Sequence, residues 1–417
     1  MSDLLHDRRI LIGVCGGIAA YKVAQVVSTL AKAGAQVQVI VTDSAAQFVT
    51  PLTFATLSRS PAYTDADFWQ PVHGRPLHIE LGEWAEVILL APLTANTLAK
   101  LTHGLADNLL TNTVLASTVP ILLAPAMNTD MWEQRSVQRN WAELCQDPRY
   151  HSADPGAGLL ACDRVGTGRM AEPETLSIHL QSLLHSQGKR DLTGKRVLIN
   201  AGGTREFLDP VRFLGNPASG KMGVALAQSA RHRGAMVTLV HGPIATADQV
   251  GLDRGIRRIE TIGAEAMHQA MQAEFAAADV VIFCAAVADL KPAQYSDRKV
   301  PKAELPTHLE LAPVLDIAAT LTAQRRPQQT IVGFAAQTGE IIAPALEKLN
   351  RKGFDAIVTN PVDQVNSGFN SSTNQAVILT QDGRQQVIPS CSKLAMAHQI
   401  WDFMGSMIWG RRGSEEI

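Results

Sequence analysis

The chain has 417 residues, 46% of them hydrophobic and 18% charged, with a formal net charge of −2. This is the make-up of a globular protein with room for two or three cores. It argues against general nucleic-acid binding and a polybasic membrane anchor, and no apolar run reaches the roughly 18 residues of a membrane span.

The polar start, Met1 to Arg9, leads directly into a strand, so no signal peptide is expected. Arg9-Ile-Leu-Ile-Gly-Val14 is a β-type run that ends in Cys15-Gly16-Gly17. A helix-like segment follows, then a second apolar run, Ala33 to Val41. Further strands are expected at Val87–Ala91 and Val119–Ala124. The pattern then restarts. Lys195-Arg-Val-Leu-Ile-Asn-Ala-Gly-Gly203 leads through a helix to Arg233–Val240, with strands expected at Val280–Ala285, Ile331–Ala335 and Ala356–Thr359. Runs apolar on both faces belong in parallel sheets covered by helices. The fold expected is therefore α/β, with two successive three-layer Rossmann-like domains and mainly parallel sheets. The polar, glycine-bearing stretch His185–Gly194 marks the boundary, giving domains 1–187 and 188–417. Asn366–Asn374 reads as a loop, and a hairpin follows around Asp382-Gly383. Arg411–Ile417 is expected to be disordered. The cysteines at 15, 145, 162, 284 and 391 are odd in number and contain no Cys-x-x-Cys pair. This suits a reducing cytoplasm without disulfides or a zinc site.

Candidate sites sit at strand ends, where α/β sheets bind ligands. In the first half these are Gly16-Gly17-Ile18, Thr42-Asp43-Ser44 and Thr94-Ala95-Asn96-Thr97. The glycines let a phosphate approach the backbone, or they simply make a tight turn. Asn128 precedes Thr129-Asp130-Met131-Trp132 and reads either as an amide that holds a carboxylate or as a helix cap. Cys162 lies in a glycine-flanked segment and reads as a proton donor on a mobile flap or as a small buried hydrophobe. His78 reads as structural or catalytic. In the second half, Asn216 to Gly223 opens a helix whose backbone N–H groups favour an anion. Its spacing is not a Walker loop, and the strand ending Val240-His241-Gly242 lacks the acid of a NAD site. Asp289 at a strand end suits Mg²⁺ or ribose, while Lys299 and Lys302 lie in a polar loop.

The segments around Gly16–Lys22, Ala91–Thr97, Pro125–Trp132 and Ala161–Met170 resemble the flavin-dependent cysteine decarboxylase family. Gly202–Glu206, Asn216–Gly223, Ala285–Asp289 and Gly333–Gln337 resemble CTP-dependent phosphopantothenate–cysteine ligases. From about residue 9 to 405 the chain resembles the bacterial bifunctional family of coenzyme A synthesis. The resemblance implies a flavoprotein decarboxylase domain followed by a CTP-dependent ligase domain. It implies FMN on residues 16–18, 42–44 and 94–97, His78 as the active-site histidine, Asn128 on the substrate carboxylate and Cys162 as proton donor. In the ligase it implies Asp289, Lys299, Asp316, Phe334, Lys348 and Lys352 at CTP, with Arg212 and Asn216 on an acyl-cytidylate. Asp289 is the candidate for Mg²⁺. The substrates implied are 4′-phosphopantothenate, cysteine and CTP, in a cytoplasmic homo-oligomer. The flavin supplies the redox chemistry that makes an electron sink beside the departing carboxylate. The alternatives are a peptidyl-cysteine decarboxylase and a non-catalytic flavin-binding regulator. The chain departs from the family pattern at Asp163, Ala218, Val314-Leu315, Pro301 and Gln337.

Overall fold

The computed structural model describes residues 4–70, 74–159, 165–249, 251–305, 307–364, 368 and 371–410. The chain divides into two compact units between Arg190 and Asp191.

In the first unit the strands Ala62–Tyr63, Gln36–Val41, Arg9–Val14, Val87–Leu93, Ile121–Pro125 and Tyr150–Ser152 lie side by side in that order. Every pairing is parallel. The period-2 pattern shows why the sheet is covered on both faces. Ile10, Ile12 and Val14 enter one apolar cluster, and Leu11 enters the other. Helix Ala20–Lys32 buries Val23, Val26, Val27 and Leu30, the i, i+3, i+4, i+7 stripe of an amphipathic helix. The chain winds outward in one direction from Arg9–Val14 and returns to its other side at Val87–Leu93. The carboxyl ends of these two strands are therefore the switch point at which such sheets accept ligands.

The second unit has an eight-stranded sheet. Its order is Arg257–Glu260, Met236–His241, Arg196–Ala201, Val280–Phe283, Thr330–Gln337, Ala356–Pro361, Thr373–Thr380 and Gln385–Ser392. Pairings are parallel through Ala356–Pro361, and the last two strands run antiparallel. Gly383, with φ 83°, turns the final hairpin where Asp382-Gly383 predicted it. The switch point lies between Arg196–Ala201 and Val280–Phe283. The sequence did not announce two short ribbons, Glu206–Phe207 with Phe213–Leu214 and Leu290–Pro292 with Leu311–Pro313. Thr373 and Asn374, expected in a loop, already belong to a strand. The expected disorder of 411–417 falls outside the described residues. No helix among the described residues is long and apolar enough to cross a membrane.

Candidate functional site

Each unit holds its own cavity. The first, of about 1120 Å³, is lined by Gly16, Gly17, Ile18, Thr42, Ser44, Thr94, Asn96, Thr97 and Asn128. These are the three expected loops and the expected amide, brought to the carboxyl ends of neighbouring strands. The loops are shaped locally. The Thr42 hydroxyl accepts from Ala45 N–H at 3.3 Å, and the Thr94 hydroxyl accepts from Thr97 N–H at 3.3 Å. Gly16 lets the first loop press on the second, because a Cβ there would stand 2.3 Å from the Ser44 Cβ. Gly17 is different. Its added Cβ would have no neighbour nearer than 3.8 Å, so the chain's own packing does not demand glycine. Its bare backbone faces the cavity, as a bound phosphate-bearing cofactor requires.

Asn128 is a helix cap on the cavity wall. Its side-chain oxygen accepts from Asp130 N–H at 2.8 Å and Met131 N–H at 3.3 Å, capping the helix Thr129–Glu133. That contact fixes the orientation of the amide. The oxygen serves the helix, so the nitrogen is the group that can donate to a carboxylate. The strand Val165–Arg169 docks onto this same loop. Met127 N–H donates to the Gly168 carbonyl at 2.9 Å. Cβ atoms built on Gly166 and Gly168 would fall 2.4 Å from Thr129 Oγ1 and 2.1 Å from the Met127 carbonyl oxygen. Cys162 and Asp163 lie outside the described residues, between this strand and its partner Gly156–Leu159. His78 does not line the cavity. It sits on helix Leu77–Trp84 with its ring edge-on to Phe68 at 5.3 Å between centroids. Sequence reasoning missed Lys22, Asp65, Lys100 and Arg169 on the cavity wall. Lys22 is paired with Glu172 at 2.9 Å and Lys100 with Asp107 at 2.8 Å. Burial raises the Asp65 carboxyl above its ordinary value, with the negative charges of Asp43 and Asp107 adding to the rise.

The second cavity, of about 560 Å³, is lined by Asn216, Asp289, Asp316, Phe334, Lys348 and Lys352 among others. The Asn216 NH₂ donates to the carbonyls of Ala286 at 3.3 Å and Val287 at 3.2 Å. Asn200 holds the neighbouring strand end, its side-chain oxygen accepting from Cys284 N–H at 2.8 Å and Ala285 N–H at 2.9 Å. Asp316 caps helix Ile317–Thr322 through Ala319 N–H at 3.0 Å and takes two bonds from Lys352 at 2.6 and 2.5 Å. Burial would raise the Asp316 carboxyl, but the Lys352 ammonium and the Ala319 N–H outweigh it and hold the group low. Lys348 donates to the Phe334 carbonyl at 2.9 Å. Burial and the charge of Lys352 push its ammonium below the usual lysine value. Asp289 is exposed at the cavity edge. Among the described residues, no trio of metal-ligating side chains converges in this cavity.

Arg212 and Lys299 do not line this cavity. Arg212 donates to the buried Asp209 carboxylate at 2.9 Å and to the Val300 carbonyl at 3.2 Å. Asp209 also accepts from the Val300 N–H at 3.2 Å. Arg212 therefore anchors the loop beside the exposed Lys299 rather than facing the cavity. The sequence carried no signal for Lys393 or Asn374, which line the same cavity from the C-terminal part of the chain.

Comparison with known proteins agrees with both halves. The Flavoprotein family matches residues 1–185, and the DNA/pantothenate metabolism flavoprotein C-terminal domain matches residues 192–407. The chain is 42% identical over 397 residues to the coenzyme A biosynthesis bifunctional protein CoaBC of Bacillus subtilis (strain 168), covering 95% of this chain and 96% of that one. It is 40% identical over 398 residues to the protein of the same name from Vibrio cholerae serotype O1, covering 95% of this chain and 97% of that one. A solved structure of the C-terminal domain of a coenzyme A biosynthesis bifunctional protein CoaBC is 33% identical, with a TM-score of 0.44, and covers 53% of this chain and 98% of that one.

Proposed function

The chain belongs to the family of bifunctional coenzyme A biosynthesis proteins, and from that premise we propose how its two cavities divide the work. It is a flavoprotein enzyme with decarboxylase and ligase activities. Residues 188–417 join 4′-phosphopantothenate to cysteine with CTP, and residues 1–187 decarboxylate the phosphopantothenoylcysteine formed. The observation that carries this reading is the pair of cavities, one at the switch point of each sheet. Asn128 faces one, and Asn216, Asp289, Lys348 and Lys352 face the other.

In the ligase, the pantothenate carboxylate attacks the α-phosphorus of CTP and expels pyrophosphate. The cysteine amine then attacks the acyl-cytidylate carbon and expels CMP. Lys348 and Lys352 bring two ammonium groups to the developing phosphate charge, and Asp316 holds Lys352 in place. Lys299 contributes from the loop that Asp209 and Arg212 anchor. The Asn216 NH₂ is committed to two backbone carbonyls, so its oxygen is the group that accepts an N–H of the attacking amine. A Mg²⁺ ion arriving with the nucleotide fits Asp289, because this cation keeps its waters and needs only one or two carboxylates besides phosphate. It would neutralise triphosphate charge there.

In the decarboxylase, FMN fits the cradle of Gly16–Ile18, Thr42–Ser44 and Thr94–Thr97. When bound, it supplies the two-electron chemistry that the substrate cysteine needs to lose carbon dioxide. The Asn128 amide nitrogen holds and orients the substrate carboxylate, and Cys162 donates the final proton. A homo-oligomer is proposed as well, because His78 does not reach the cavity of its own chain.

The test is anaerobic incubation of the purified chain with FMN, 4′-phosphopantothenate, cysteine, CTP and Mg²⁺. Mass spectrometry should find phosphopantetheine. Absence of both phosphopantothenoylcysteine and phosphopantetheine refutes the reading.

A further inference from the structure

The motif Gly202-Gly-Thr-Arg-Glu206 follows strand Arg196–Ala201, yet Gly202 alone of its residues lines the ligase cavity. The reaction described above gives the motif no role. What lies on the cavity wall beside it is the segment Cys284 to Asp289, which follows strand Val280–Phe283. This segment carries two things that the reaction uses. Its last residue is Asp289, and its carbonyls at Ala286 and Val287 hold the Asn216 amide.

An irregular segment has no ladder to hold it, so its backbone groups need partners one by one. The pairing of Arg196–Ala201 with Val280–Phe283 runs out at Asn200 and Phe283 and returns only as an isolated bridge between Gly203 and Ala286. Side chains fill the gap. The Asn200 side-chain oxygen accepts from Cys284 N–H at 2.8 Å and Ala285 N–H at 2.9 Å. The Gly202 carbonyl accepts from Ala286 N–H at 2.9 Å, and the Thr204 hydroxyl accepts from Ala288 N–H at 3.0 Å. The N–H groups of Cys284, Ala285, Ala286 and Ala288 are thus all held by residues 200–204.

Asn200 and Thr204 are each only 1% exposed. Burying an amide and a hydroxyl costs free energy unless both are bonded, and here the bonds go to this one segment. The Asn200 nitrogen meets the Met267 sulfur at 3.8 Å, a weak acceptor, so the oxygen is the end that does the holding. The same motif backs the Asn216 loop, because a Cβ added to Gly203 would stand 2.5 Å from the Asn216 carbonyl oxygen.

We propose that Asn200 and Thr204 are positioning residues of the ligase. They fix Cys284–Asp289 in the arrangement that offers Asp289 to the nucleotide and keeps the Asn216 amide oriented. The proposal rests on the ligase reading given above. Loosening the segment lowers the fraction of chains ready to bind CTP, and the apparent affinity falls with that fraction.

Steady-state ligase kinetics on the full chain test this with Thr204→Val, Thr204→Ser and Asn200→Leu. Thr204 is the sharper position, because it is not on the cavity wall and acts only through the segment it holds. Thr204→Val keeps the shape and removes the acceptor. It should raise the KM for CTP about three- to tenfold, the scale of one lost hydrogen bond. The KM for cysteine and the decarboxylation of preformed phosphopantothenoylcysteine should not change. Thr204→Ser keeps the hydroxyl and should recover most of the loss. Asn200→Leu removes two bonds and should raise the KM for CTP at least as far. Amide hydrogen exchange across 284–289, read by mass spectrometry, should quicken in Thr204→Val and Asn200→Leu but not in Thr204→Ser. A role in stability alone would lower the melting temperature of Thr204→Val and leave its KM for CTP within about threefold of the parent, and that result overturns the proposal. So does a Thr204→Ser enzyme whose KM for CTP is as high as that of Thr204→Val, since the loss would then lie in packing and not in the acceptor. If Asn200→Leu does not fold, the two Thr204 variants decide. Failure of the ligase reading itself shows separately, as a parent chain that makes no phosphopantothenoylcysteine.

Discussion

Gly168→Ala should uncouple decarboxylation from ligation in the same chain. Gly168 has φ 146°, a conformation that an alanine adopts only under strain. An added Cβ would also stand 2.1 Å from the Met127 carbonyl oxygen, which is rigid backbone. The backbone strain costs about 1–3 kcal/mol. The overlap adds about 1–3 kcal/mol if neighbouring atoms shift to absorb it. The sum is about 2–6 kcal/mol, paid locally unless Val165–Arg169 moves off the Asn128 loop. With a tenfold change for each 1.4 kcal/mol, even the lower end reduces the docked arrangement about thirtyfold. The assay is carbon dioxide release from preformed phosphopantothenoylcysteine, measured beside pyrophosphate release from CTP. The first should fall by at least that factor, and the second should not change. Flavin absorbance should persist, because the atoms nearest the new methyl group belong to Met127 and Asn128 and not to the loops at 16–18, 42–44 and 94–97. Gly104→Ala is the control. Gly104 also has positive φ, 66°, but nothing lies within 4 Å of its added Cβ, so both activities should survive. If Gly168→Ala decarboxylates within about threefold of the parent, docking on the Asn128 loop does not matter to the reaction.

Three further substitutions test individual groups. Asn128→Asp keeps an acceptor for the Asp130 and Met131 N–H groups, so the helix cap survives. Its charge meets the substrate carboxylate with a repulsion of about 4 kcal/mol at 4 Å and an effective dielectric of 20. Carbon dioxide release should fall about a thousandfold while ligation continues, and equal loss of both activities would refute the assignment. Asn216→Asp removes both donors to the Ala286 and Val287 carbonyls and sets a negative charge against them. Pyrophosphate release should persist while amide formation slows by about 10- to 100-fold, so that an acyl-cytidylate accumulates, detectable with labelled CTP; early loss of pyrophosphate release would assign Asn216 to the first step. Lys352→Gln removes the partner that holds the Asp316 carboxyl below its ordinary value despite burial. The pair's contribution to stability is present above the unfolded carboxyl pKa of about 4 and is lost as pH falls through the lowered folded value. The parent should therefore lose more stability than the variant on acidification below about pH 4, by thermal melts, and matching slopes would refute the coupling.

The layout of the sheets was legible because it depends on short-range pattern. Ile10, Ile12 and Val14 alternate with Leu11, and the structure sends the two sets to opposite faces. The turn at Asp382-Gly383 was legible because few residues tolerate positive φ. The ribbons Glu206–Phe207 with Phe213–Leu214 and Leu290–Pro292 with Leu311–Pro313 were not. Strands of two or three residues show no alternation, and Pro292 and Pro313 argue against strands at all. They form because the chain has been brought back on itself, which no local window records.

The same division runs through the sites. The loops at 16–18, 42–44 and 94–97 could be placed because each follows a strand, and position at a strand end is itself the signal. Asn128 could be named but not oriented. Cap and substrate ligand looked like rival readings, whereas the cap observed leaves room for the ligand role proposed above. The helix N–H groups take the oxygen and so determine which end of the amide would meet a carboxylate. The glycines flanking Cys162 suggested a mobile flap, and the missing Cβ atoms of Gly166 and Gly168 are what allow one strand to lie against the Asn128 loop. Lys393 gave no signal of its place on a cavity wall, because a lysine at the start of a helix reads as solvated until the fold buries it beside Lys221. Function at these positions is a property of contacts between distant segments. A motif therefore identifies the loop, and only the packing around it identifies the atom that acts.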